Sequence, residues 1–180
     1  MVQDYLPYII IALVTCGLIA VTIVLARLAW RRQLRRYLTG LVGRREAIAA
    51  ALKSTEAAVR VLAKADTDQL VAFANEGSEE RSVLAEIAAR MRLEASELQN
   101  VALPKRLWPA ADALGQAATA LATQTGAIGD VGGAAAMDGL AGLDLGIVRE
   151  ALQRSDAEIH AVSEAVGLTD AAVYGGGLYI

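Results

Sequence analysis

RREAIAAALKSTEAAVRVLAKA, residues 44–65, places Ile48, Leu52, Thr55, Val59 and Leu62 at alternating steps of four and three, with charged residues between them. Steps of that size return to one side of a helix with 3.6 residues per turn, so the stretch reads as an amphipathic helix with a single apolar stripe. Such a stripe needs a covering surface, and the rest of the chain supplies more of the same kind. Asp66-Thr67-Asp68 is a capping cluster ahead of a short apolar piece at residues 70–74. Ser78 followed by Glu79 and Glu80 opens a helix to about Asn100 that would bury Val83, Ile87, Met91, Ala95 and Leu98. Pro104 and Pro109 interrupt the helical pattern, and Pro109 suits the first turn of a third helix reaching about Thr125. A fourth, from about Leu145 to Val166, carries Ile147, Leu152, Ile159 and Val162 and stops at Gly167. The expected fold is all-α, an antiparallel four-helix bundle over residues 46–166 followed by a flexible tail at 167–180. Between the last two helices, seven glycines crowd into residues 126–146, which predicts a long connection there.

Composition supports helices and limits the core. Hydrophobic residues make up 55% of the 180, but aromatic residues only 4%, with one Phe and two Trp. Much of the apolar content is alanine, the strongest helix former and a side chain that buries little area. The single Cys, Cys16, excludes an intramolecular disulfide.

Upstream of the amphipathic stretch, residues 6–26, LPYIIIALVTCGLIAVTIVLA, contain no charge and reach about 30 Å as a helix, the thickness of a bilayer's hydrocarbon core. They predict a transmembrane helix over residues 6–30, after a short external N-terminus at 1–5 and before a basic juxtamembrane segment at 31–45. Arg27, Arg31, Arg32, Arg35 and Arg36 follow the run, and the positive-inside rule then predicts a single-pass plasma-membrane protein with the N-terminus outside and the domain in the cytoplasm. Trp30 sits where interfacial aromatics belong. Gly40 and Gly43 suggest a hinge between anchor and domain. In an up-and-down bundle the 101–109 connection returns to the anchor end, so Lys105, Arg106 and Trp108 join Arg27, Trp30, Arg31, Arg32, Arg35 and Arg36 as expected contacts with the lipid bilayer. The other loops go to the far end and bring Asp66, Asp68, Glu76, Asp130, Asp138 and Asp144 there as an acidic surface for a protein partner.

Charge separates along the chain. The net value of −3 contains seven arginines and no acid over residues 27–45, then ten Lys or Arg against nineteen Asp or Glu over residues 46–180. An acidic folded domain argues against a nucleic-acid partner. Sites for chemistry are scarce: His160 is the only histidine, and Asp156, His160 and Glu164 share a helical face at four-residue spacing without the Glu-x-x-His pattern of di-iron bundles. The glycine-rich stretch has neither phosphate-binding spacing, and no lysine follows Lys105. No metal, cofactor or catalytic residue is expected. The apolar stripe nearly keeps heptad register from Trp30 to Leu62, a pattern that serves either a homo-oligomer or an intramolecular bundle.

Arg44-Arg45 followed by Ile48 and Leu52 is similar to the RRxxLxxxL at the start of the first long helix of the LemA family, and Leu152, Ser155-Asp156 and Ile159 are similar to its LxxTExxI in the last one. The overall layout also resembles that family, whose Asn-rich segment, Tyr-Pro element and closing Tyr-Asn pair have no clear counterpart here. The resemblance implies a membrane-bound helical protein and carries over no catalytic residue. The sequence thus predicts a non-enzymatic scaffold or adaptor, or alternatively an accessory subunit of a larger membrane complex held by its transmembrane helix.

Overall fold

A computed structural model describes residues 6–75 and 78–168, with the side chains of residues 6–14 and of Asn75 left out. The expected external N-terminus, Glu76, and the tail from residue 169 onward lie outside the described residues. All regular elements among the described residues are helical: α1 (Leu6–Leu62), α2 (Thr67–Asn75), α3 (Glu79–Asn100), a 3-10 turn (Lys105–Leu107), α4 (Trp108–Gly129), α5 (Ala134–Ala141) and α6 (Gly146–Val166). The chain divides into two compact units, residues 1–37 and 38–180.

The second unit is the bundle. Its order follows from paired side chains. Arg44 of α1 reaches Glu94 and Glu97 near the end of α3, while Leu62 at the other end of α1 shares a cluster with Leu84 near the start of α3. The late end of α4 lies against the early part of α3, with Gly129 beside the backbone of Leu84 and Ala85, and Asp130 reaches along α3 to pair with Arg92. α4 and α6 are linked by Gln124 to the backbone of Asp144 and by Gln116 to Arg154. α6 closes back on α1 through Arg149–Glu56 and Arg45–Asp156. Every neighbouring pair therefore runs antiparallel.

Local chemistry sets the ends. Asp66 and Gln69 form a reciprocal capping box, Gln69 N–H donating to Asp66 Oδ1 at 2.8 Å and Asp66 N–H to Gln69 Oε1 at 3.1 Å. Ser78 caps α3 by accepting from Arg81 N–H, Pro109 occupies the first turn of α4, and Gly167 ends α6 at φ 65° with Leu168 N–H donating back to Ser163.

The core is aliphatic, with Leu38, Ile48, Met91, Leu114, Leu121 and Ile159 fully buried. Of the expected stripe on α1, Ile48, Leu52, Thr55 and Leu62 are buried and Val59 is half-buried. Two core positions differ from expectation. Leu84 is buried where Val83 was expected, and Val148 is buried where Ile147 stands exposed. Uninterrupted steps of four drift off a 3.6-residue face, and one step of three, from Leu84 to Ile87, restores it. α4 buries mostly alanine, and small side chains there let it approach α3 closely. A Cβ on Gly129 would lie 2.7 Å from Ala85 Cα, and one on Gly139 2.5 Å from Ala127 O, so these glycines are required by backbone contact.

Three expectations are corrected. First, no hinge forms at Gly40 and Gly43: α1 is continuous through both, because flanking Leu38, Leu41 and Val42 are buried and outweigh the roughly 1 kcal/mol helix penalty of each glycine. Second, residues 126–146 are not one long connection. α4 continues to Gly129 and α5 occupies Ala134–Ala141. Third, among the described residues no helix is long and apolar enough to cross a membrane. That finding overturns the single-pass plasma-membrane location and the membrane-spanning helix. It also removes the basis for assigning Arg27, Trp30, Arg31, Arg32, Arg35, Arg36, Lys105, Arg106 and Trp108 to a lipid interface.

Candidate interaction surfaces

Four surfaces carry the residues singled out by sequence. The first lies on α1 over residues 15–37. Leu18, Ile19, Val21, Ile23, Val24, Leu25 and Leu28 are all about half exposed or more, with Leu18 at 64%. Successive residues of a helix point in directions 100° apart, so these seven side chains surround the axis instead of forming one stripe. Arg27, Trp30, Arg31, Arg32, Arg35 and Arg36 are exposed directly after them.

The second surface is the end of the bundle where α1 finishes. α2 and α5 cap it, packing around Phe73 with Ala58, Leu62, Leu84, Ile128 and Ala136. Asp66, Asp68, Asp130, Asp138 and Asp144 are all exposed at this end, as predicted from the loop order. Their charges are partly engaged. Asp130 pairs with Arg92, Asp66 caps α2, and Asp144 accepts from Gly146 N–H at 2.8 Å. Arg60 and Lys64, exposed at the end of α1, share the same end, so the surface is mixed in charge. Sequence reasoning missed Arg81. Its guanidinium donates to the carbonyls of Gly129 and Ala74 at the C-terminal ends of α4 and α2, where a cation complements the helix dipoles, and Ala74 O also accepts from Gly133 N–H at 2.7 Å. The only sequence signal for it is an arginine one turn into a helix that follows two acids.

The third surface is the opposite end of the bundle, where Lys105 and Arg106 are exposed in the 3-10 turn and the Trp108 indole N–H donates to Leu103 O at 3.0 Å.

The fourth is a set of ion pairs between helices. Arg45 grips Asp156 with two bonds of 2.9 and 2.7 Å, and Arg44 reaches Glu94 at 3.0 Å and Glu97 at 2.8 Å. With about a third of each Arg45 and Asp156 side chain exposed, this pair contributes on the order of 1 kcal/mol and fixes the register of α1 against α6. The two short motifs behind the family resemblance, Arg44-Arg45 and Ser155-Asp156, are thereby brought into contact. Asp156 is committed to Arg45, and among the described residues no group of three or more His, Cys, Asp or Glu side chains is placed to hold a metal ion. Ser155 is fully buried, and its hydroxyl lacks a hydrogen-bond partner, whereas the buried hydroxyls of Thr55 and Thr125 donate to Ala51 O and Leu121 O. Ser163 Oγ donates to the backbone carbonyl of His160.

The stripe that could have served a homo-oligomer is used within the bundle from Leu38 onward, where Leu38, Leu41, Ile48 and Leu52 are buried. No protein-family model, no curated protein and no solved structure matches this chain.

Proposed function

We propose that this protein is a non-enzymatic helical scaffold or adaptor acting through protein–protein contacts, with the apolar first part of α1 as its main contact surface. The observation that carries this reading is the ring of exposed aliphatic side chains from Leu18 to Leu28. Contiguous exposed apolar surface of this kind marks contact with another macromolecular surface. Covering seven such side chains yields on the order of 10 kcal/mol before the cost of association. The exposed arginines that follow favour an acidic rim on the partner, and the exposed aspartates around α2 and α5 form a second contact region at the capped end.

Replacing Leu18, Leu25 and Leu28 together by Asn in the full chain tests the reading. Proteins recovered with the chain after mild crosslinking in its own cells are expected to disappear, while thermal unfolding of the bundle keeps its midpoint. Unchanged recovery would contradict the proposal. A second reading, an accessory subunit held permanently in a larger assembly by helix packing, is favoured by the same surface being apolar on all sides. It predicts that the partner stays bound through size-exclusion chromatography.

A further inference from the structure

The outward face of α4 is poor in charge. Of its 22 residues only Asp112 is an Asp, Glu, Lys or Arg, against eight in α3 and six in α6. Asp112, Gln116, Thr119, Thr123 and Ala127 are exposed at steps of four and three, a single stripe turned away from the core. A helix face that meets only water usually carries charge, and depletion of charge is the compositional mark of an interface. Two open hollows lie where this stripe borders α3. One, of about 640 Å³, is walled by Leu98, Val101, Trp108 and Asp112. The other, of about 580 Å³, is walled by Arg92, Ala95, Ala127, Asp130 and Val131. Gln99 and Thr119 line both, so the two hollows are the halves of one groove centred on Thr119.

We infer that this face binds the same face of a second copy, as a two-fold dimer with the two α4 helices antiparallel about Thr119. Two-fold pairing is the commonest symmetry of soluble oligomers and requires a patch that complements itself. This patch does so in register. Trp108 and Asp130 stand eleven residues on either side of Thr119, and Asp112 and Gly126 stand seven. Antiparallel pairing about that residue sets Trp108 of each copy against the second hollow of the other, between Ala127 and Val131. The indole is 56% exposed, and its N–H bond to Leu103 O already holds the ring, so filling that hollow costs little entropy. Asp112 arrives opposite Gly126, beside which the partner's Arg92 lies. Lys105 and Arg106, exposed just ahead of Trp108, arrive at the end that carries Asp130 and Asp138. Each half of the dimer thus matches charge twice. A face of that length and two helices wide covers about 33 by 20 Å, which gives about 1,200 Å² over both copies and reaches the range of stable interfaces. The contact uses the bundle alone and stands apart from the surface on α1.

Single cysteines placed in the full chain after Cys16→Ser test the register. Thr119→Cys is expected to give a disulfide-linked dimer on mild oxidation, because the symmetry axis brings its two copies together. Asp112→Cys is expected to give none, since its two copies stand about 20 Å apart along the helices, beyond the roughly 7 Å that a disulfide spans between Cα atoms. In sedimentation equilibrium the dimer is expected to weaken about tenfold or more with Thr119→Arg, which sets like charges on the axis, and about tenfold with Trp108→Ala. The thermal midpoint of the bundle should not fall with Thr119→Arg, because the position is exposed. A chain that stays monomeric at about 100 μM, far above the dissociation constant of a stable dimer, would overturn the proposal. So would absence of linkage through position 119, equal linkage through 119 and 112, or a dimer indifferent to Thr119→Arg.

Discussion

The two halves of α1 are made of similar residues and meet opposite fates. Over residues 38–62 the large apolar side chains recur on one face, and Leu38, Leu41, Ile48, Leu52 and Leu62 are buried. Over residues 15–30 they crowd every face, and Leu18, Ile19, Val21, Ile23, Val24, Leu25 and Leu28 are exposed. The difference teaches that apolar content does not decide burial. A helix of a small bundle can cover only the stripe that faces its neighbours, so residues patterned with a 3.6 period enter the core and residues patterned without one are left for another surface.

The sharpest way to break that comparison is to shorten one side chain in each half. Ile48→Ala should cost the bundle about 2–5 kcal/mol, as large-to-small changes at fully buried sites do. Leu25→Ala should stay within about 0.5 kcal/mol, since no core packing is lost. Denaturant unfolding of the two variants measures both, and equal losses would show that the first half is packed as tightly as the second.

Glycines sharpen the same contrast with a smaller effect. Gly129 lies against the backbone of α3, so Gly129→Ala forces the helices apart and should cost about 1–3 kcal/mol. A Cβ on Gly43 meets nothing within 4 Å, so Gly43→Ala should stabilise α1 by about 0.5–1 kcal/mol. Thermal midpoints moving in opposite directions would confirm that a glycine in a helix can be a packing requirement in one place and a cost in another.

The smallest expected effect concerns the buried hydroxyls. Thr55 of α1 is satisfied by Ala51 O, whereas Ser155 of α6 has no partner at zero exposure. Ser155→Ala should therefore leave stability unchanged or raise it by up to about 1 kcal/mol. A loss beyond that range would mean that the hydroxyl is hydrogen-bonded in solution.

Much of this fold is legible in the residues because it rests on local rules. The 48-52-55-59-62 spacing, the caps at Asp66 and Ser78, Pro109 and Gly167 mark four of the helices and their order, and loop lengths then force neighbouring helices to run antiparallel. What resisted reading has physical reasons. Gly129 and Gly139 look like breakers in sequence, and only the close approach of α3, α4 and α5 shows that they are packing residues. Gly40 and Gly43 look like a hinge because tertiary burial of their neighbours is invisible to propensity. The apolar run at residues 6–26 reads as a bilayer span by length and composition, and the described residues do not furnish a helix long and apolar enough for that role. Among candidate sites, the gathering of Asp66, Asp68, Asp130, Asp138 and Asp144 at one end was foreseeable from topology. The partial neutralisation of that end by Arg92, Arg60, Lys64 and Arg81 was not, since it depends on which faces of α1 and α3 turn toward the loops.

The central claim is that the first half of α1 is a surface for another protein. A photo-crosslinking amino acid placed at Val24, and separately at the exposed Ala50 of the bundle, tests it most directly in the full chain in its own cells. The account predicts a discrete protein adduct from position 24 that is absent from position 50. Absence of any protein adduct from position 24, or the same adducts from both positions, would contradict it.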